Sequence, residues 1–233
     1  MNDYILELNN VKKYYRRNLI LNNVTLKIPK GCIYGIVGPN GAGKTTILKT
    51  MCGLTKISFG EVIAFGEKFS IKHLRRIGAL IESPPVYNNL TARENLLIHA
   101  LIMRLKDEEI KRVLEIVGLD YQSRKLVSQY SLGMKQRLGI AIALLGDPEI
   151  LILDEPTNGL DPIGIQEMRE LIKSFKKSGK TVIISSHILS EIEQIIDYVS
   201  VIVSGEVKYS GEFKDDRKLE EIFFSILQGR NLM

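Results

Sequence analysis

The sequence predicts an α/β fold with a parallel sheet. Continuous apolar runs occur at residues 33–37, 150–153 and 181–184, and such runs are typical of strands that helices cover on both faces. Segments of helical character lie between them. A glycine-rich loop, residues 38–46 (GPNGAGKTT), joins the first run to a helical segment that Gly53 ends. We therefore expect a parallel sheet organised around this loop.

The loop at residues 38–46 has the spacing G-x-x-x-x-G-K-T of a phosphate-binding loop, in the strand–loop–helix context that the motif requires. Glycines allow backbone N–H groups and the positive end of the helix to face phosphate. Lys44 is expected to reach the β- and γ-phosphates of the ligand, and the Thr45 hydroxyl to bind Mg²⁺. The correct flanks disfavour the alternative, a turn that binds nothing. The predicted nucleotide contacts are Gly38, Pro39, Asn40, Gly41, Ala42, Gly43, Lys44, Thr45 and Thr46.

The composition is that of an ordinary globular chain. Of 233 residues, 45% are hydrophobic and 25% charged, and the net charge is +5. Without a dense Lys/Arg stripe interleaved with aromatics, we do not expect a nucleic-acid partner. No apolar run reaches the length of about 18 residues that spans a bilayer, and the N-terminus lacks the pattern of a secretory signal. Cys32 and Cys52 are expected to be small buried hydrophobes in a reducing cytoplasm, not a disulfide.

Two strands are predicted ahead of the loop, at residues 4–8 and 24–28, and one after it, at residues 60–65. Tyr15 lies between the first two. An aromatic ring shortly before a phosphate loop can stack on adenine, because it offers a flat apolar face. A tyrosine packed at a sheet edge explains the same residue equally well, so both interpretations stay open.

A helical insertion is predicted from residue 86 to about residue 128. It follows a strand at residues 77–81 and the segment 82–85 (ESPP), whose prolines break regular structure and suit a hinge. Thr91 and Glu94 form a capping box for a helix that runs to about Arg104. Asp107 is expected to cap a second helix, which Gly118 ends. Its apolar face comprises Ile110, Val113, Leu114 and Val117.

The next segment, residues 130–137 (YSLGMKQR), precedes a helix with Leu138, Ile142 and Leu145 on one face. Ser131 lies at the N-cap position. A serine hydroxyl and free N–H groups at a helix start can bind an anion. A plain capped helix is the commoner outcome for an isolated serine.

Polar residues follow two of the predicted central strands. Asp154 and Glu155 end the run 150–153: Asp154 is expected in the Mg²⁺ shell, and Glu155 to orient or deprotonate the attacking water. Two solvated acids are the alternative. His187 follows the strand at 181–184, at the edge where ligands gather in α/β sheets, and is expected to contact the γ-phosphate. An edge hairpin (199–203 and 207–209) and a terminal helix from about Lys218 to Gln228 complete the prediction.

The order of these motifs resembles that of the ATP-binding subunits of ABC (ATP-binding cassette) transporters over essentially the whole chain. That resemblance implies a P-loop NTPase fold: a RecA-like core with an antiparallel β subdomain, at residues 1–82 and 138–233, and an inserted α-helical subdomain at about 83–137. It also implies an ATPase that uses ATP and Mg²⁺ and works as a head-to-tail homodimer formed on ATP binding.

The resemblance implies roles by position. Tyr15 matches the adenine-stacking aromatic, Thr45 and Asp154 the Mg²⁺ positions, Glu155 the catalytic carboxylate and His187 the switch histidine. The segment 130–134, with Ser131 and Gly133, matches the signature that closes over ATP held by the other subunit. Asp161 matches the acidic residue that crosses the dimer.

The chain departs from the family pattern at two places. The signature, commonly LSGGQ, is YSLGM here, so Leu132 adds a side chain where the backbone approaches the γ-phosphate. Glu82 occupies the position usually held by a glutamine that links the Mg²⁺ and water site to the membrane subunit. A carboxylate there is expected to bind the metal more strongly, or to titrate.

The sequence around Glu82, Thr91 and Ser131 is similar to that of the ATPases for bacitracin export and lantibiotic self-protection. We therefore expect the ATPase of a peptide-antibiotic exporter, attached to the cytoplasmic side of the membrane through permease subunits. The alternatives are an exporter for another cargo and a non-transport ABC ATPase acting on ribosomes or DNA. Single-cassette architecture disfavours the latter, and a small-molecule kinase would not explain the signature segment.

Overall fold

The computed structural model describes residues 3–213 and 219–227. The strands are β1 (Tyr4–Tyr15), β2 (Asn18–Pro29), β3 (Ile33–Val37), β4 (Phe59–Ala64), β5 (Glu67–Lys68), β6 (Ile77–Leu80), β7 (Ile150–Asp154), β8 (Thr181–Ser186), β9 (Tyr198–Val203) and β10 (Glu206–Glu212). The helices are α1 (Lys44–Met51), α2 (Ala92–Met103), α3 (Asp107–Ile116), α4 (Leu132–Leu144), α5 (Pro162–Lys177), α6 (Leu189–Ile192) and α7 (Leu219–Leu227). The predicted ends of the terminal helix, Lys218 and Gln228, lie outside the described residues.

The strands form two sheets. The central sheet has the order β10-β9-β3-β8-β7-β6, in which β9, β3, β8, β7 and β6 are mutually parallel and β10 pairs antiparallel with β9. This confirms the predicted parallel sheet and its edge hairpin. The second sheet, β2-β1-β4-β5, is antiparallel.

The continuous apolar strands serve two hydrophobic cores at once. In β7, Leu151 and Leu153 pack with the helical side, whereas Ile150 and Ile152 pack toward α1 and the antiparallel sheet. Because successive side chains of a strand point to opposite faces, a strand covered on both faces has no polar positions. This is why the sequence shows a run and not an alternation.

The two N-terminal strands are longer than predicted. Asn10 and Asn23 adopt left-handed conformations (φ 51° and 53°), and the β1–β2 register shifts between Leu8 and Val11. A bulge changes which face the following residues occupy, so the period-two pattern ends there although the strands continue.

The helical insertion has two helices, and residues 86–128 contain no strand, as predicted. Thr91 caps α2, and both bonds of its capping box with Glu94 are present. The prediction that Asp107 caps α3 was wrong: Lys106 is the N-cap and Asp107 the first helical residue. The Asp107 carboxylate instead accepts hydrogen bonds from Arg93 and Tyr121, so it is not free to cap the helix.

Helix α4 is buried on several sides, not on one face. Leu138 and Leu145 are buried as predicted, Ile142 only partly, and Ile140 and Leu144 are buried as well. The helix lies between the insertion (α2, α3) and the central sheet (β6, β7), so a polar face is not needed. The predicted subdomain boundary at residues 137 and 138 falls inside this helix, and the division itself stays a prediction.

Both cysteines are free and buried, as predicted. Burial raises the pKa of Cys32 to about 12 and also raises that of Cys52, so both thiols stay protonated near neutral pH. Across the described ranges, no helix combines the length and the apolar character needed to cross a membrane.

Candidate functional site

The phosphate loop lies between β3 and α1, and glycine is required at two of its positions. A Cβ at Gly38 would lie 2.2 Å from the carbonyl oxygen of Ile202. Gly43 has φ 103° and is the N-cap of α1, so no side chain covers the first turn of that helix. The uncovered N–H groups and the helix dipole make this end suitable for an anion.

Lys44 is the only loop side chain with a charge, and it is held close to the backbone. Its side chain is buried, and Nζ donates to the carbonyl oxygens of Gly38 (2.9 Å) and Pro39 (3.3 Å). Nζ also lies 3.4 Å from Oε1 of Glu155. The ammonium group is therefore fixed at the mouth of the loop, where a phosphate would replace these oxygens.

Thr45 and Asp154 are adjacent, as a shared metal position requires. The Thr45 hydroxyl donates to Oδ2 of Asp154 (2.9 Å), and the Ser185 hydroxyl donates to Oδ1 (2.5 Å). Asp154 is buried. Mg²⁺ prefers hard oxygen ligands, and in phosphate sites it takes only one or two from protein while water and phosphate supply the rest. One carboxylate beside one hydroxyl fits that pattern.

Glu155 extends from the end of β7 between two basic side chains. Oε2 lies 2.9 Å from Nδ1 of His187, and Oε1 faces Lys44. The backbone is left-handed (φ 47°), and the N–H donates to Ser185 Oγ (3.0 Å). A partly exposed carboxylate held in this way can orient a water molecule and accept its proton.

The sheet register explains how these residues meet. Asp154 pairs with Ser185 across β7 and β8, and Val37 pairs with Ser186 across β3 and β8. The three parallel strands therefore end at one edge. The sequence analysis did not identify Ser185, although two polar residues ending an apolar strand just before His187 were a usable signal.

Glu82 shares a cavity of about 520 Å³ with Thr45, Asp154 and Glu155. Its carboxylate accepts a hydrogen bond from Nζ of Lys49 at 2.6 Å, and this contact raises the pKa of Lys49. The sequence analysis missed Lys49, because helix spacing shows nothing about a partner 33 residues away.

Tyr15 ends β1, and its side chain is 44% exposed. Nζ of Lys13 lies 4.6 Å from the ring centroid, and the hydroxyl is 3.4 Å from Thr55 Oγ1. The ring therefore lies at the end of a strand and is also accessible to solvent. Stacking on adenine remains a prediction.

The signature residues surround a second cavity, of about 440 Å³, which Ser131, Gly133 and Asp161 help to line. Ser131 caps α4 by accepting from the N–H of Met134 (3.3 Å), and Asp161 caps α5 by accepting from the N–H of Gly164 (2.7 Å). The structure does not bring these residues into the cavity of Thr45 and Glu155. Among the residues that the structure describes, Leu132 and Gly159 alone line both cavities.

The fold and the first cluster define a class, a phosphate-loop ATPase with a helical insertion. The model of the ABC transporter family matches residues 21–158. The lantibiotic transport ATP-binding protein SrtF of Streptococcus pyogenes is 49% identical over 94% of this chain and 96% of its own length. The bacitracin transport ATP-binding protein BcrA of Bacillus licheniformis is 50% identical over 97% of this chain and 72% of its own.

A solved dimeric ATP-binding cassette in a post-hydrolysis state, bound to ADP and Pi, is 28% identical with a TM-score of 0.80, over 90% of this chain and 99% of that one. This chain belongs to the ABC transporter family. It is an ATPase with the nucleotide-binding domain typical of the family, in which a RecA-like core carries an antiparallel β subdomain and a helical insertion.

Proposed function

We propose that this chain is the ATP-hydrolysing subunit of a bacterial exporter that removes a membrane-active peptide antibiotic and so gives immunity or resistance. Relatives named for lantibiotic and bacitracin transport are 49% and 50% identical over nearly the whole chain, which supports this cargo class. The observation that carries the ATPase part is the cluster of Lys44, Glu155 and His187 beside the Thr45–Asp154 pair.

In the proposed mechanism, each residue of the cluster has a defined role. Mg²⁺, bound by Thr45 and Asp154, would neutralise charge on the β- and γ-phosphates. Lys44 leaves its carbonyl partners and binds phosphate oxygens. Glu155 accepts a proton from the attacking water, and His187 holds the Glu155 carboxylate and contacts the γ-phosphate. Tyr15 stacks on adenine, and Glu82, which lines the same cavity, links the metal and water site to the segment 82–85.

We propose further that two copies are needed for hydrolysis. Ser131 and Gly133 lie in a cavity separate from the phosphate loop of their own chain, which supports a role toward ATP held by a second copy. The exposed turn of Asp161, next to that cavity, would lie on the same interface. ATP binding then stabilises the closed homodimer, and hydrolysis releases it.

Permease subunits would hold the chain at the cytoplasmic side of the membrane, and the segment from Glu82 to Asn95 would contact them. Asn95 supports a rigid connection there: its buried side chain bonds both the N–H and the carbonyl oxygen of Tyr87 and also the carbonyl oxygen of Thr91. A displacement of the chain at Tyr87 would therefore move the start of α2 with it.

The test is survival of susceptible cells that express this chain with its neighbouring permease genes, against a panel of lantibiotics and bacitracin. A Glu155→Gln strain runs beside a Glu170→Gln strain, which alters an exposed carboxylate on α5. Protection against one peptide class, lost in Glu155→Gln and kept in Glu170→Gln, would support the proposal. If the cells were protected against none of the peptides, the proposed cargo class would be overturned and the assignment as an ATPase would stand.

A further inference from the structure

We propose that Lys49 is a positioning residue for Glu82, which it holds at the rim of the ATP site as half of a neutral ion pair. The proposal deepens the proposed function and rests on it, since it concerns the metal side of the same site. It starts from the 2.6 Å contact between Lys49 Nζ and Glu82 Oε1.

The pair joins two elements that have different tasks. Lys49 lies on α1, the helix that begins at the phosphate loop. Glu82 follows β6 and begins the proline-containing segment that leads to the helical insertion. Pro84 of this segment packs near Gly139 of α4, where a Cβ on the glycine would come within 3.0 Å of it. Lys49 is thus the link from the nucleotide-binding helix to this segment.

The backbone of Glu82 needs support from its surroundings. Its φ of 63° is left-handed, a conformation that costs free energy for a residue other than glycine. Such a conformation persists only where neighbouring contacts determine it. The ammonium of Lys49 supplies one contact on the side-chain end, and the prolines restrict the chain on the other.

The Lys49–Glu82 ion pair affects the balance of charge around the cavity. Glu82, Asp154 and Glu155 line one cavity. Lys44 balances Glu155, Lys49 balances Glu82, and neutral hydroxyls hold Asp154. The two hydroxyl partners of Asp154 carry no compensating charge, which suits a carboxylate that faces a divalent cation. Without Lys49, a second unbalanced carboxylate would face the same cavity and could turn toward the metal.

The test measures how Mg²⁺ supports binding of a non-hydrolysable ATP analogue to the purified chain, as the Mg²⁺ concentration for half-maximal binding. Four proteins form a cycle: the wild type, Lys49→Gln, Glu82→Gln and the double variant. Lys49→Arg keeps the charge. Lys173→Gln is the matched control, because Lys173 has a similarly exposed pair with Glu170 on α5, remote from the cavity. Thermal unfolding verifies that each variant folds.

With Lys49 present, we expect Glu82→Gln to change the Mg²⁺ midpoint by less than about twofold. In the Lys49→Gln background, adding Glu82→Gln should raise the Mg²⁺ midpoint by about twofold to fivefold, as expected for one partly exposed ion pair. Lys49→Arg and Lys173→Gln should match the wild type. If Glu82→Gln changed the Mg²⁺ midpoint equally with and without Lys49, the role of Lys49 would be overturned, and the proposed function would stand. If binding of the ATP analogue did not depend on Mg²⁺ in any variant, both the proposed metal site and this proposal would be overturned.

Discussion

The phosphate-loop cluster and the signature segment differ in how complete they are within one chain. In the first, three pairs of side chains are already in contact at 2.9–3.4 Å: Thr45 with Asp154, Lys44 with Glu155, and His187 with Glu155. In the second, Ser131 caps its own helix and lines a separate cavity with Gly133. The fold brings the first group of residues together within one chain, whereas Ser131 and Gly133 line a cavity apart from that of Thr45 and Glu155.

The difference has a physical origin. Parallel strands end at a common edge, so residues after β3, β7 and β8 must meet regardless of any partner. The signature instead begins a helix, and a helix start offers N–H groups outward to whatever anion approaches. The contacts of the first cluster are therefore present within one chain, whereas the role that we propose for the signature requires a second copy.

The largest expected effect is on the preformed cluster. Glu155→Gln should lower ATP turnover by about 10²- to 10⁴-fold, because it removes the group that accepts the proton of water. ATP binding should persist, and the variant should accumulate as an ATP-bound dimer. Steady-state hydrolysis and size-exclusion chromatography with ATP measure both. A monomeric Glu155→Gln protein that still turns over ATP would break the comparison.

Lys44→Ala should weaken ATP binding itself by about 10- to 100-fold, since a charge-assisted contact to phosphate is lost. Fluorescence titration with an ATP analogue measures the dissociation constant. Lys173→Ala serves as the control for loss of one exposed positive charge. Unimpaired binding by Lys44→Ala would mean that the loop does not hold the phosphates.

A smaller effect is expected at the signature. Leu132 is 47% exposed, and its Cδ2 would contact a Cβ placed on Gly159 at 2.8 Å, so the side chain lies between the two cavities. In the Glu155→Gln background, Leu132→Gly should lower the ATP concentration for half-maximal dimerisation by about fivefold, roughly 1 kcal/mol, because the backbone can approach more closely. Leu132→Ala should fall between. Weaker dimerisation of the glycine variant would show that Leu132 supports closure.

The smallest effect on chemistry is expected from Glu82→Gln. Basal hydrolysis should fall by no more than about threefold, since the Lys49 pair already neutralises this carboxylate in the wild type. Protection of cells should fall further, because the Glu82 turn leads to the permease-contacting segment. If basal hydrolysis by the isolated chain disappeared, Glu82 would take part in the reaction directly.

The fold and the preformed cluster were largely predictable, because both follow from local signals. Apolar runs located β3, β7 and β8, and the residues just after them are those that the sheet brings together. The capping box at Thr91 and Glu94 fixed the start of α2 for the same reason.

What the sequence could not show depends on contacts between distant segments. Asp107 has the chemistry of an N-cap, but Arg93 and Tyr121 engage its carboxylate. Helix α4 does not have the expected single buried face, because the helical insertion and the central sheet both cover it. Nothing in the sequence connects Lys49 with Glu82, and only the fold places the two side chains in contact.

Each catalytic cluster is proposed to need the signature of another copy, and mixing two inactive variants tests this requirement most directly. Glu155→Gln removes the catalytic carboxylate and keeps the signature. Gly133→Asp places a negative charge in the signature, and the space beside Gly133 admits a Cβ, which would meet Leu160 Cδ2 at an ordinary contact distance of 3.6 Å. A mixed dimer would hold one intact site.

We predict that each variant alone is inactive and that an equal mixture recovers up to about a quarter of the wild-type turnover, from random pairing of two-site dimers. Recovery should increase with protein concentration. Turnover by Gly133→Asp alone at the wild-type rate, with no gain on mixing, would show that one chain completes its own site and would contradict the account.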